Sequence, residues 1–412
     1  MPGRYNPRFD SRPSIPDVYN TRHPYYPSVP MVSQRAQDVT PFIAMDVLER
    51  ANELEDVVHL EVGEPDFEPP DRVTETAVES LRSGNTDYTA ARGKPELRRA
   101  IAAHYDREYG VEVDPERVVV TPGTSPGLFL TLAALVDPGE EVVLTNPHYA
   151  CYPNFVRTVG GQIETVPLQA DEGFQPRIAD FDAAITETTQ AVLLNSPANP
   201  TGAVMDGETL AELSALTEAT DTVPVVDEVY HGLSYDVEEH TILEYTDEAF
   251  VLNGFSKRFG MTGWRLGWIV VPPAYVAAIN RLAQNILICA PNFVQDAGVA
   301  ALETPPDRLA EIRETYRERR DLLVDAVTDW GLDLGYTPQG AYYLLVDVSD
   351  LPGDALDIAD LLLEEAGVAV TPGVDFGEEA ADYLRVSYAT DIEAIEKAIR
   401  RIGATLETVE PA

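Results

Sequence analysis

Lysine is nearly missing from this chain. Lys94, Lys257 and Lys397 are the only three among 412 residues, and every other basic residue is arginine. Positive charge as a whole is scarce, with 29 basic residues against 70 acidic ones and a formal net charge of −41. No basic stripe is left to neutralise phosphates, which excludes nucleic-acid binding as the expected function. Cysteine is almost absent too. Cys151 and Cys289 lie far apart and without metal-type spacing, so neither a disulfide framework nor a zinc site is expected. The simple expectation is two buried thiols in a reducing, cytoplasmic setting. No apolar run reaches the ~18 residues of a membrane span. The N-terminus lacks the apolar core of a signal peptide.

What is present is an ordinary globular interior, 44% hydrophobic and 8% aromatic, under a very acidic surface. Such self-repulsion weakens a compact state in dilute salt. A Debye length of roughly 3 Å at 1 M salt removes most of that cost. The acidic, lysine-poor composition resembles that of proteins from salt-accumulating organisms, and a haloadapted surface is the expectation.

Residues 1–30 stand apart. They are rich in Pro, Tyr and Arg, lack periodicity, and read as a disordered extension, with Met31 as an alternative start. From residue 41 the pattern alternates. Helical spacing runs over 41–51, 71–82 and 95–109, with a short strand at 59–62. Short β-branched runs follow at 117–121, 141–145, 162–166, 191–194, 222–226, 250–252 and 266–271, with amphipathic stretches such as 125–136, 206–218 and 273–285 between them. Strands alternating with helices predict an α/β domain, a mostly parallel mixed sheet flanked by helices. A long charged helix near 305–330 breaks the alternation. Strands near 341–347, 367–371 and 383–388, with helices near 355–366 and 391–407, then predict a smaller α+β domain. The expected organisation is 31–62 as the N-terminal part of the small domain, 63–300 as the large domain, and 301–412 as the C-terminal small domain.

The most informative segment is Ser256-Lys257-Arg258-Phe259-Gly260-Met261-Thr262-Gly263-Trp264-Arg265-Leu266-Gly267. A lysine in a Gly- and aromatic-rich loop after a strand, shielded from water, can lose its proton and attack a carbonyl. A surface lysine is the plain alternative. Arg265 offers a fork of donors suited to a phosphate. Asp227 ends the run from Val223, where a carboxylate at the C-terminal end of a parallel strand faces the usual ligand crevice and can pair with a cationic ring nitrogen; a solvated acid is the alternative. Gly123, Thr124 and Ser125 join a strand to a helix whose N-terminus can hold an anion, although Ser and Thr also cap ordinary helices. Asn199 sits in a Pro- and Gly-rich turn after another strand. Arg385 lies inside a β-like run and, if buried, needs an acid, either a structural partner or a substrate carboxylate.

Taken in order, these segments resemble the fold-type I pyridoxal 5′-phosphate (PLP) enzymes, specifically the class I/II, aspartate aminotransferase-like family, from about residue 31 to 407. The resemblance implies that Lys257 carries PLP as a Schiff base and that Asp227 partners the pyridinium nitrogen. It implies that Asn199 and Tyr230 bond the ring's phenolic oxygen and that Tyr149 stacks on the ring. Gly123, Thr124, Ser125, Ser256 and Arg265 would hold the phosphate, with Tyr88 reaching it from the neighbouring subunit of a homodimer. Gly63 and Arg385 would receive the substrate carboxylate, with Asn199 beside them.

The activity implied is transfer of an amino group from an L-amino acid to a 2-oxo acid, 2-oxoglutarate being the expected acceptor. The kinetics would be ping-pong, with Lys257 as proton shuttle. Two positions depart from the family. Gly254 stands where many relatives carry a phosphate-binding serine, so Ser256 or Thr124 would compensate. Ser125 stands where some acidic-substrate relatives carry a lysine. Tyr149, Tyr152, Tyr342 and Tyr343 would suit an apolar or aromatic donor, with core packing as the alternative for the last two. A PLP-dependent C–S lyase or synthase of the same fold uses the same motifs. A PLP-binding regulator would need a DNA-binding domain, for which residues 1–30 are too short.

Overall fold

The computed structural model describes residues 32–409. The expected extension over 1–30 and the alternative start at Met31 lie outside the described residues. The first strand, β1 (Val58–His59), belongs to the small lobe. The large sheet takes β2 (Val118–Thr121), β3 (Glu141–Asn146), β4 (Gln162–Pro167), β5 (Thr189–Asn195), β6 (Val223–Asp227), β7 (Phe250–Gly254) and β8 (Gly267–Val270), in the order β2-β8-β7-β6-β5-β3-β4. Only β8 runs against its neighbours; the other pairs are parallel. Apart from the edge strand β4, these strands are apolar almost throughout and buried on both faces, as in Val118-Val-Val-Thr121, because helices cover both sides.

The small lobe holds β9 (Tyr343–Asp347), β10 (Val368–Ala369), β11 (Thr371–Pro372) and β12 (Tyr383–Ser387). β11, β12 and β9 form an antiparallel sheet, and β1 pairs with β10 in parallel. The charged helix Pro306–Asp329 packs its buried face on this lobe's core, which includes Tyr316, Leu323, Tyr342 and Tyr388. Among the described residues no helix is long and apolar enough to cross a membrane, and no group of three His, Cys, Asp or Glu side chains is placed to hold a metal.

Several expectations change in detail. The strand expected over 367–371 is two strands, because the chain pairs with β1 up to Ala369 and with β12 from Thr371. The strand expected at 59–62 ends at His59, since Glu61 gives its carbonyl to the side chains of Arg385 and Thr371 instead of a ladder. The helix expected over 355–366 becomes Ala355–Leu361 followed by a π turn, Leu362–Ala366. Helices Gln34–Asp38, Tyr152–Val159, Ile178–Ala184 and Asn292–Leu302 went unforeseen. The last is rich in Ala and Gly and almost wholly buried, so it lacks the polar stripe that marks an amphipathic helix. The two thiols are free but half-buried, not buried, and both sit in connections between elements.

Candidate active site

The sheet topology gathers the polar residues at one edge. Asp227 ends β6 and Asn195 ends β5. The turn after β2 leads through Gly123 into the helix Thr124–Leu135. Lys257 follows β7, and Arg265 precedes the antiparallel β8, which starts at this same edge. The small lobe supplies Arg385 from β12 and Tyr343 from β9. Between the lobes lies a cavity of ≈ 310 Å³, lined among others by Thr124, Ser125, Tyr149, Asn199, Asp227, Tyr230, Ser256, Lys257, Arg265 and Arg385.

Lys257 differs from the other two lysines. Lys94 is ion-paired with Asp296 and Lys397 with Asp56. The Lys257 amine instead donates to the carbonyl of Gly63 at 2.8 Å, with the rings of Tyr230 and Tyr342 centred 5.5 and 5.7 Å away. Burial depresses its pKa below the ordinary lysine value, and Arg385 adds to that; Tyr343, Glu64 and Asp227 oppose it. A depressed pKa makes an amine a better nucleophile near neutral pH. The Gly63 carbonyl also accepts from the Tyr342 hydroxyl at 3.0 Å, and a Cβ on Gly63 would overlap the Tyr343 hydroxyl. This is why glycine stands there.

Arg385 is 2% exposed, and among the described residues no carboxylate lies within ion-pair distance of it. Its guanidinium donates to the Asn199 side-chain oxygen at 3.0 Å, the Glu61 carbonyl at 2.5 Å and the Thr371 hydroxyl at 3.3 Å. The rings of Tyr343 and Phe376 flank it at 4.5 and 4.7 Å. A buried cation held by neutral groups and facing a cavity is poised for an external carboxylate.

Asp227 is the inverse case, a carboxylate 7% exposed with no cation in ion-pair contact among the described residues. The Tyr152 hydroxyl donates to it at 2.9 Å and the Val229 N–H at 3.1 Å. Burial still pushes its pKa up to about 6. Asn195 fixes the strand end, donating to the Asp227 carbonyl and accepting from the Asn199 N–H, both at 2.7 Å. The Tyr230 hydroxyl meets that of Tyr343 at 3.0 Å. At the helix start, Gly123 has φ 93° and ψ 171°, and a Cβ there would overlap the Arg265 guanidinium. Arg265 therefore lies against a helix N-terminus whose first N–H groups are free, a cradle for a dianion.

These features fit PLP: a cationic cradle for a phosphate, a buried carboxylate for a protonated ring nitrogen, and a desolvated lysine for an aldehyde. Tyr149 stands on the wall with its ring edge-on to Tyr152. Tyr88 does not join the cavity lining; it is 85% exposed. Sequence reasoning missed Asn195, Glu61, Thr371 and Phe376. Only for Asn195 was there a signal, its place at a strand end beside the Asn199 turn.

The family pattern described as "Aminotransferase class I and II" matches residues 55–402. A (5-formylfuran-3-yl)methyl phosphate transaminase of Methanocaldococcus jannaschii is 36% identical, over 90% of this chain and 98% of that one. A valine–pyruvate aminotransferase of Mycobacterium tuberculosis is 38% identical, over 89% and 97%. The structure of aspartate aminotransferase from Thermus thermophilus with maleate superposes with a TM-score of 0.88 at 38% identity, covering 92% of this chain and 100% of that one.

Proposed function

The chain belongs to the class I and II aminotransferases and is a PLP-dependent enzyme, and on that footing we propose that it moves the amino group of an apolar or aromatic L-amino acid to a 2-oxo acid by a ping-pong mechanism at this cavity. One observation carries the reading of the site. Among the described residues, a half-buried lysine, a buried carboxylate and a buried guanidinium, none of them in an ion pair, converge on one cavity. Each is costly alone, and each has a partner in PLP or its substrate.

PLP supplies an electron sink that makes the amino acid's Cα proton removable and stores the amino group. The residues do the rest. Thr124, Ser125, Ser256 and Arg265 hold the phosphate. Asp227, steadied by Tyr152 and Val229, keeps the ring nitrogen protonated. Asn199 and Tyr230 stand for the phenolic oxygen and Tyr149 for the ring face. Arg385 takes the α-carboxylate, which orients the Cα–H bond toward Lys257. The Lys257 amine then takes that proton as base and returns it as acid. The Gly63 carbonyl, its present acceptor, keeps it on the substrate side.

Relatives of nearly equal identity differ in the substrates they are named for, so identity does not choose the donor. What supports an apolar or aromatic donor is the wall, where Phe42, Met45, Tyr149 and Tyr343 line the cavity. We propose 2-oxoglutarate and pyruvate as the acceptors to compare. We also propose a homodimer in which Tyr88 completes the neighbouring phosphate site. Exposed Tyr88, Ile286 and Ile288 support it, drawn onto one face by the Thr89–Cys289 and Asn292–Asp87 hydrogen bonds.

The test is a donor screen of the PLP-loaded protein in molar salt, following oxo-acid product. Wild type converts apolar or aromatic donors in step with conversion of the acceptor. Pyruvate and ammonia released without an acceptor would assign a lyase instead. Lys257→Ala should lose at least ~10³-fold in rate, within the range for losing a positioned base. A reducible PLP adduct at another residue of that variant would overturn the assignment of Lys257.

A further inference from the structure

The helix Ile43–Asn52 begins without a cap of its own. Its N-cap position is Phe42, which has no side chain able to accept from the free N–H groups of the first turn. The cap comes from 332 residues away in the sequence. The Ile43 N–H donates to one Asp375 oxygen and the Ala44 N–H to the other, each at 3.3 Å. The negative charge also lies at the favourable end of the helix dipole.

This helix start matters because Phe42, Ala44 and Met45 form one wall of the cavity. Phe42 sets its ring edge-on to Tyr149, with centroids 6.1 Å apart. On its other side the strap is tied at Thr40. The Thr40 N–H and hydroxyl donate to the Asn154 carboxamide oxygen at 3.0 and 3.2 Å, and Asn154 donates back to the Thr40 carbonyl at 3.1 Å. Residues 40–45 are thus tied to Asn154 of the large lobe at one end and to Asp375 of the small lobe at the other, with Phe42, Ala44 and Met45 on the cavity wall between. The turn Gly373–Phe376 that carries Asp375 also carries Phe376, whose ring packs on Arg385. One short turn therefore supports both the carboxylate clamp and the wall facing the substrate's side chain.

We propose that Asp375 is a positioning residue that seats the Phe42–Met45 wall over the cavity and thereby sets which donor side chains the enzyme accepts. It touches no reacting atom. The inference rests on the proposed reading of the wall as the side-chain pocket, but the cap itself is read independently of activity.

The experiment pairs hydrogen exchange on the cofactor-free protein with steady-state kinetics on the PLP-loaded protein, for wild type, Asp375→Asn and Asp375→Ala. The Asn variant keeps one acceptor oxygen and serves if the Ala variant does not fold. Loss of the cap should speed exchange of the amides of 43–46 about tenfold, with Asn intermediate and the helix Pro95–Tyr109 unchanged. For an apolar donor, KM should rise about tenfold while kcat moves less than about threefold, and the preference over acidic donors should shrink. Unchanged exchange at 43–46, or a fall in kcat with the donor preference intact, overturns the proposal. Faster exchange together with no transaminase activity in wild type would sink the proposed function and with it the role of the wall, leaving Asp375 a helix cap only.

Discussion

A carboxyl group sealed from water costs free energy until a cation meets it, and Asp227 shows how an enzyme of this kind carries that cost before its cofactor binds. In the cofactor-free chain burial lifts its pKa to about 6, against 3.8 as the usual value. The native state therefore keeps a proton that the unfolded state has released, and stability falls as pH rises from about 4 to about 6. The difference amounts to roughly 3 kcal/mol. Asp227→Asn abolishes that term. Denaturant titrations of the cofactor-free proteins should show the variant gaining about 3 kcal/mol on wild type between pH 4 and pH 7, levelling off above pH 6. A constant difference across that range would contradict the burial argument. The variant comparison is needed because other buried groups titrate nearby. Glu228, lifted by burial to about 7, acts in the same direction. His104 and His148, lowered by burial to about 3 and 4, act oppositely, losing stability as pH falls below 6.5.

At the scale of elements, the proposed phosphate cradle depends on close approach of three backbones. A Cβ on Gly267 would lie 2.9 Å from the Gly123 carbonyl carbon and 3.0 Å from the Thr124 nitrogen. A Cβ on Gly254 would lie 3.2 Å from the Gly267 Cα and 3.3 Å from the Thr124 side chain. The glycine at 254 thus lets β7 pack closely on β8 and the helix start. Thr124 and Ser256 stand at the cavity nearby. Gly123 is the sharpest case, because its φ and ψ lie in a region essentially reserved for glycine. Gly123→Ala should cost about 1–3 kcal/mol of stability and displace Arg265. PLP affinity, measured by equilibrium dialysis, should fall at least about tenfold. Unchanged affinity would mean that the cradle does not hold the phosphate.

For the whole molecule the governing quantity is the net charge of −41. Many of the acids are paired with arginine at the surface, as in Arg50–Asp360 and Arg72–Glu303, but such exposed pairs are worth little each. Self-repulsion remains, and salt relieves it. Thermal unfolding followed from 0.1 to 2 M potassium chloride should show Tm rising steeply. Light scattering over the same series should show dimers gaining ground, since like charges meet at any interface between copies. A Tm independent of salt would rule out the salt-adapted reading of the surface.

Much of this protein was legible in the sequence because it depends on local or repeating patterns. Helices at 71–82 and 95–109 fall where their spacing puts them, and alternating strands and helices give the mixed sheet. Lys257, Asp227, Asn199 and Arg265 could be picked out since each sits at or near a strand end, and the sheet topology brings those ends to one edge. Whether any of them was buried, paired or free was not legible. Arg385 could have been a structural ion pair; the fold instead packs Tyr343 and Phe376 against it and, among the described residues, leaves its guanidinium without a carboxylate. Asp375 gives no sign in the sequence that it caps a helix 332 residues away. Burial and long-range contact belong to the tertiary structure, because they depend on which surfaces meet, and a linear pattern carries no record of that.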